Sequence, residues 1–293
     1  MESKVYISNT NEFASYFALK RAFKSLGIQF NFESVAIKIN LCSLRSRETG
    51  ATSDPIVVEQ LIKILNENGA RVYLVESDSG SKNVDLAFAY LGFKSLEKKY
   101  DVQCVNLSKD KFSIRKIDGY YLKSIRVPAT LENVDFFITH PKLKTHSSMK
   151  VRLTGALKNQ FGCLMDRNKA VYHSSIHEVI SDVNKVFRSD LTIMDSIIAM
   201  TGYGPTVGIP QRLNLLLTSL DPVAVDALGA KIFGFNPRSI KYLKLASQEG
   251  LGKLNSIVYG DKLEGLSFNM HTKNLLLRSF EFFSSIGISA SSE

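Results

Sequence analysis

The hydrophobic positions of this chain switch repeatedly between a period of two and a period near 3.6. Lys4–Ser8 (KVYIS) reads as a strand, and Glu12–Leu26 carries Phe13, Tyr16, Phe17, Ala18, Phe23 and Leu26 as a broad helical stripe. Ser34–Asn40 is a strand with an apolar body and a polar end. Pro55–Asn68 is a helix with Asp54 as N-cap, Pro55 in its first turn and Gly69 as its stop. Arg71–Glu76 is the next strand, so the order strand–helix–strand predicts a crossover unit and a parallel sheet. Asn83–Leu91 reads as a helix stopped by Gly92. Val102–Leu107 is a strand, Phe112–Ile117 and Tyr121–Val127 form a hairpin around Asp118-Gly119, and Val134–Thr139 is another strand. The later part continues in the same way. Helices are predicted at Ser174–Val186, Asp221–Phe233 and Pro237–Glu249, and strands at Leu191–Asp195, Leu213–Ser219 and Ser256–Tyr259.

This alternation predicts an α/β fold: mostly parallel sheet flanked by helices, in two lobes with a cleft between them. The expected divisions are an N-terminal lobe over 1–140, a second lobe over 141–270 and a weakly structured tail over 271–293. With 293 residues, 44% of them hydrophobic and 22% charged, the chain can bury a full core, which excludes a disordered protein and a disulfide-stapled mini-protein. No run approaches the roughly 18–20 apolar residues of a membrane-spanning helix. Met1-Glu2-Ser3-Lys4 leads into a strand and not into a signal-peptide core. Cys42, Cys104 and Cys163 form no CxxC pair, so no cysteine-ligated iron–sulfur cluster or zinc ribbon is encoded. The expectation is a reduced, cytoplasmic protein with no membrane partner.

The formal net charge is +9, and its distribution matters more than its size. Residues 141–170 hold Lys142, Lys144, Lys150, Arg152, Lys158, Arg167 and Lys169 against Asp166, which is two thirds of the net charge. A solvated basic face is the plainest explanation of such a run. Here the cations are interleaved with histidines and glycines, and they follow directly on a buried-looking strand. His140, His146 and His173 bring groups that titrate near neutrality or ligate metals. A lysine crowded by cations has its pKa lowered, which suits a Schiff base, an amide link to a cofactor, or proton abstraction. Gly155 and Gly162 are expected to let backbone approach a ligand closely.

In open α/β sheets ligands sit beyond the carboxyl ends of the strands. Lys38 and Asn40, Glu76 and Asp78, His140 and Lys142, and Asp195 all lie at such ends. A strand end is also where any chain surfaces and turns polar, so each alone is weak. The glycine-rich loop Gly202-Tyr203-Gly204-Pro205-Thr206-Val207-Gly208 offers N–H groups that could cradle an anion. Asp226 lies inside an apolar helix and, as a buried carboxylate, needs a partner; the expected one is a lysine.

Taken together, several segments resemble the family called domain of unknown function 362. They are Lys38-Ile39-Asn40, Thr52, Val75–Asp78, Pro141–His146, Thr154–Gly162, Gly202–Gly208 and Ser219–Asp226, spread over about residues 34–260. A fainter likeness is to the nickel-pincer lactate racemases. It rests on His146, Lys158 behind Thr-Gly-Ala-Leu, Gly162, and His173 fifteen residues beyond Lys158. It implies that Lys158 would hold a pincer cofactor and that His146 and His173 would be metal or acid–base histidines.

The expected function is an enzyme acting on a small anionic metabolite, a carboxylate or a phosphate, in a Lys/His-lined cleft. His146, Lys158 and His173 are the expected catalytic groups, in metal-assisted acid–base chemistry of racemase or epimerase type. Lys38, Asn40, Lys142, Lys144, Asn159, Gly202 and Gly204 would bind the anion, with Glu76, Asp78, Asp195 and Asp226 in support. A divalent metal on His140, His146 and His173 is a further expectation. The alternatives are a nucleic-acid-binding protein, which the net charge favours, and a non-catalytic metal or cofactor carrier.

Overall fold

The computed structural model describes residues 2–80, 82–148 and 151–262. Lys150 and the expected tail over 271–293 lie outside the described residues.

The first crossover units form as the periodicity requires. Strand β1 (Lys4–Asn9) is followed by α1 (Ser15–Leu26), β2 (Ser34–Lys38), α2 (Pro55–Glu67), β3 (Arg71–Glu76), α3 (Val84–Tyr90) and β4 (Val102–Asn106). The Asp54 side chain accepts from the Ile56 N–H and caps α2, and Asn83 caps α3 in the same way. A two-stranded hairpin, β5 (Phe112–Lys116) with β6 (Ser124–Pro128), stands apart from the main sheet. The chain continues through α4 (Ala129–Asn133), β7 (Phe136–Thr139), β8 (Lys142–Thr145), β9 (Leu153–Thr154), α5 (Ala156–Gln160) and α6 (Ile176–Val186). It closes with β10 (Leu191–Thr201), β11 (Ile209–Ser219), α7 (Pro222–Ile232), α8 (Lys241–Gln248) and β12 (Ile257–Gly260).

Ten strands make one mixed, mostly parallel sheet in the order β12-β1-β11-β10-β7-β2-β3-β4, with β8 joined to β10 off this path and β9 joined to β8. Residues on both sides of the expected boundary at 140 build it. β7 pairs with β10, and β1 lies between β11 and β12. Side chains alternate between two cores. Val35 and Ile37 of β2 face Leu19, Phe23, Val57 and Leu61 of α1 and α2. Ala36 faces the opposite core with Leu157, Val179, Val225 and Leu243 of α5 to α8. The same alternation carries Lys38 to the Ala36 side, under α5.

Two elements differ from the sequence reading. The strand expected at Leu191–Asp195 runs on to Thr201 with every residue buried, and forms a long antiparallel hairpin with β11. Lys142–Thr145 is itself a fully buried strand, which a Lys-Leu-Lys-Thr pattern does not announce.

Candidate functional site

The carboxyl ends of β2 and β3 open into a cavity of about 160 Å³. Its walls include Lys38, Asn40 and Cys42 beyond β2, and Glu76, Ser77, Ser79 and Lys82 beyond β3. The other side is supplied by Lys158, Asn159, Phe161 and Gly162 from α5 and the turn after it, with Lys169 and His173. The two sides are tied together. Arg167 Nε donates to Gly80 O (2.9 Å), the Gly80 N–H donates to Arg167 O (2.9 Å), and Lys169 Nζ donates to Ser77 Oγ (2.8 Å) and Asp78 O (2.6 Å).

Four lysines therefore face one carboxylate, and they are not equivalent. An ammonium has three N–H donors. Lys38 Nζ spends its own on Glu76 Oε2 (3.0 Å), Ile39 O (2.7 Å) and Asn159 Oδ1 (3.4 Å). Behind the wall, Lys144 spends its donors on Asn40 Oδ1 (2.7 Å), Ala51 O (2.7 Å) and Cys42 Sγ (3.2 Å). Lys82 makes a loose 3.9 Å contact with Glu76. Lys158 forms no ion pair or hydrogen bond among the described residues; its Nζ lies 5.6 Å from the centre of the Phe161 ring.

These surroundings set the charge states. Burial would raise the Glu76 carboxyl, but Lys38 and Lys82 outweigh it and hold it at about 2. Burial, helped by the Lys144 charge and opposed by Cys42, lowers the Lys158 ammonium to about 8. Burial also lowers Lys169 to about 8, against the pull of Glu76. Burial and then Lys158, Lys144 and His173 bring the His146 ring down to about 4, so it is neutral at pH 7. Its Nδ1 accepts from the Ser148 N–H (3.0 Å), which leaves the ring proton on Nε2.

Several expected site residues are instead structural. Lys142 is locked to Asp195 at 3.0 Å, both side chains buried, and neither lines the cavity. The Asp78 carboxylate accepts from the Val84 N–H (2.9 Å) and Asn106 Nδ2 (3.1 Å), which steadies the start of α3. Asp226 does not meet a lysine. Its two oxygens accept the Ala156 and Leu157 N–H groups (2.5 and 3.1 Å), so α7 holds the first turn of α5 from below. Burial raises this carboxyl to about 7 despite those two donors. The glycines of the 154–162 segment serve the protein's own groups. A Cβ on Gly155 would meet Asp226 Oδ1 at 2.1 Å, and one on Gly162 would meet Glu76 Oε1 at 2.6 Å and Lys38 Nζ at 2.7 Å. Gly202 and Gly204 do not line the cavity: Gly202 O accepts from Thr145 Oγ1 and Gly204 O from the Ser147 N–H, each at 2.8 Å.

His140 is fully buried with Nδ1 2.9 Å from Ile193 O, and burial takes its ring down to about 4. It is a core residue and does not line the cavity with His173. Among the described residues no three His, Cys, Asp or Glu side chains gather as a metal site. A dication would also face four ammoniums and a single carboxylate. A cavity of about 160 Å³ is small against the roughly 300 Å³ at which pockets for cofactor-sized ligands begin. The donor set therefore fits neither the divalent metal expected on these histidines nor a nickel-pincer group.

Cys42, Ser77, Ser79, Lys82, Phe161 and Lys169 were not singled out by sequence reasoning. Only the rule that ligands lie beyond strand ends, extended along the Ser77–Lys82 loop, could have found Lys82. A larger hollow of about 690 Å³ beside α1 is lined by Phe17, Phe23, Ile28 and Phe30 with Lys20, Arg21 and Lys24 at hand, and has no convergent acid–base groups.

A family model, Domain of unknown function (DUF362), matches residues 35–231. The chain belongs to the DUF362 family. The match spans β2 to α7, and so takes in every residue lining the cavity. This DUF362 chain is 27% identical over 246 residues to the thylakoid-associated protein sll1697 of Synechocystis sp., covering 80% of this chain and 74% of that protein. A solved structure, the lactate racemase apoprotein from Thermoanaerobacterium thermosaccharolyticum, aligns with a TM-score of 0.43 and 9% identity, over 68% of this chain. The DUF362 chain spans about half (51%) of the length of that racemase. Among the described residues no helix is long and apolar enough to cross a membrane.

Proposed function

We infer that this chain is an enzyme that binds a small anionic metabolite, a carboxylate or a phosphate, in the lysine-lined cavity and moves a proton on it. The observation that carries this reading is the division of labour among the lysines. Lys38 and Lys144 have all their donors committed and set the field. Lys158 has none committed among the described residues, and its ammonium titrates near pH 8. A cationic cavity with low-dielectric walls concentrates anions, and an amine of that pKa is matched to proton transfer near neutrality. His173 lines the cavity; His146, whose ring is lowered by the nearby Lys158 charge and carries its proton on Nε2, does not line it. Proton exchange at a carbon next to a carboxyl or carbonyl group, the step shared by racemases and epimerases, is the chemistry this set suits. Three lysines of the basic stretch, Lys142, Lys144 and Lys169, are buried, which weighs against nucleic acid as the partner.

The test is a thermal-shift screen of small carboxylates and phosphates against wild type, Lys158→Met and His146→Ala, followed by NMR detection of solvent deuterium entering the bound compound. The expected result is ligand stabilisation in wild type, weakened at least tenfold in Lys158→Met, with both variants folded. If no anion stabilises the protein, or both variants bind as wild type does, the reading fails.

A further inference from the structure

The cavity has a built asymmetry that specifies more than negative charge. Lys169 reaches across from the opposite wall to the β3 end, with two of its three donors committed, to Ser77 Oγ and Asp78 O, and there Lys82 holds Glu76 only at 3.9 Å. Both ammoniums have hydrogen-bonding capacity left for a carboxylate. On the α5 side stands Lys158, with no carboxylate partner among the described residues and the Phe161 ring as its neighbour. A substrate held by its carboxylate on Lys82 and Lys169 therefore presents its next carbons to an amine. A cavity of about 160 Å³ holds the equivalent of about five waters, which suits an acid of a few carbons.

Building on the small-anion reading above, we propose that Lys158 forms a covalent imine with a small 2-oxo acid, so that the substrate class is an anion bearing a carbonyl next to its carboxylate. The amine lone pair attacks the carbonyl carbon, and the C–O π pair moves to oxygen to give a carbinolamine. The C–O bond then breaks, and the oxygen leaves as one water. Overall an ammonium and a ketone become an iminium and water, with no change in charge or oxidation state. The iminium then acidifies the C–H of the carbon on the far side of the imine carbon from the carboxylate, which is the proton transfer already assigned to this site.

The surroundings favour the attack. Burial and the Lys144 charge leave about a tenth of the Lys158 side chain as free amine at pH 7, against less than a thousandth for an ordinary lysine. Glu76, pinned between Lys38 and Lys82, is held as an anion and does not compete for the amine's proton.

The experiment uses the full chain with pyruvate or glyoxylate as probe and lactate, which has no carbonyl, as control. Sodium cyanoborohydride is added, and the adduct is located by peptide mass mapping. The expected result is a reduced adduct on Lys158 with both oxo acids, none with lactate, and none in Lys158→Met. Lys158→Arg keeps the cation and is expected to be stabilised by pyruvate without forming an adduct. If pyruvate stabilises wild type yet Lys158 is unlabelled, or if labelling is spread equally over surface lysines, the imine proposal is overturned and the anion reading stands. If neither pyruvate, glyoxylate nor lactate changes the melting temperature and no adduct forms, both are overturned.

Discussion

Replacing Glu76 by Gln removes the one carboxylate of the cavity while keeping its shape. In the folded protein this group titrates at about 2, against 4.5 for an unperturbed glutamate. At about 1.36 kcal/mol per pH unit, the gap corresponds to roughly 3 kcal/mol of stability at neutral pH. Removing one partner of a buried ion pair costs about 3–5 kcal/mol by the independent route of mutational experience, so the two estimates overlap. Leu41 N–H donates to one Glu76 oxygen (3.1 Å) and Ser77 N–H to the other (2.9 Å); Gln keeps a single acceptor oxygen, so the variant loses one of these bonds together with the charge. A domain of this size shifts by about 2–4 °C per kcal/mol, so Glu76→Gln is expected to melt about 10 °C lower. The sign with pH follows from the depressed pKa. The contribution is complete above pH 4.5 and disappears as pH falls through about 2. Urea denaturation at several pH values should show this acid-limb slope in wild type and its loss in Glu76→Gln. Added pyruvate should stabilise the variant more than wild type, because the ligand then supplies the missing negative charge. A variant within about 1 kcal/mol of wild type at pH 7, with the same acid limb, would refute the claim that Glu76 holds these lysines together.

Other outcomes follow from the same geometry. Gly162→Ala places a methyl within 2.7 Å of the Lys38–Glu76 pair, and an equilibrium urea titration should show a loss of about 1–3 kcal/mol or more. Asp226→Ala strands two buried N–H groups at the start of α5 and should cost about 2–5 kcal/mol by the same titration. Since the folded Asp226 carboxyl is raised to about 7 from 3.8, its contribution is present below pH 3.8 and fades as pH rises through 7; Asp226→Asn should remove that part of the stability–pH profile. The Cys104 and Cys163 thiols, each pushed up to about 12 chiefly by burial, should resist iodoacetamide at pH 8 until the protein is denatured, as read by intact mass.

Much of the scaffold was legible from periodicity. Strands β2, β3 and β4, the caps at Asp54 and Asp221, and the hairpin around Asp118-Gly119 lie where alternation and turn residues put them. The cavity wall was legible in part: Lys38, Asn40 and Glu76 stand at strand ends, and Lys158, Asn159 and His173 come from the basic stretch and the residues just after it. What pattern could not supply was three-dimensional pairing. Lys142 and Lys144 read alike, yet one is locked to Asp195 and the other to Asn40, Cys42 and the Ala51 carbonyl. Both leave β8 on the face opposite Leu143, so which acid each finds depends on strand order, and strand order is not a local property. The loop at Gly202–Gly208 fitted an anion cradle equally well as it fitted a hairpin turn, since glycines serve both. Only the pairing of β10 with β11 distinguishes them.

The place of β1 has a consequence for how the molecule is made. Its hydrogen-bonding neighbours are residues 215–218 on one side and 257–260 on the other. A ribosome adding about 5–20 residues per second must therefore emit most of the polypeptide before Lys4–Asn9 can find either companion. Until then four buried positions of that strand are exposed and available to chaperones or to other nascent chains. Closure of the sheet is thus a late event, because this strand waits for partners synthesised long after it.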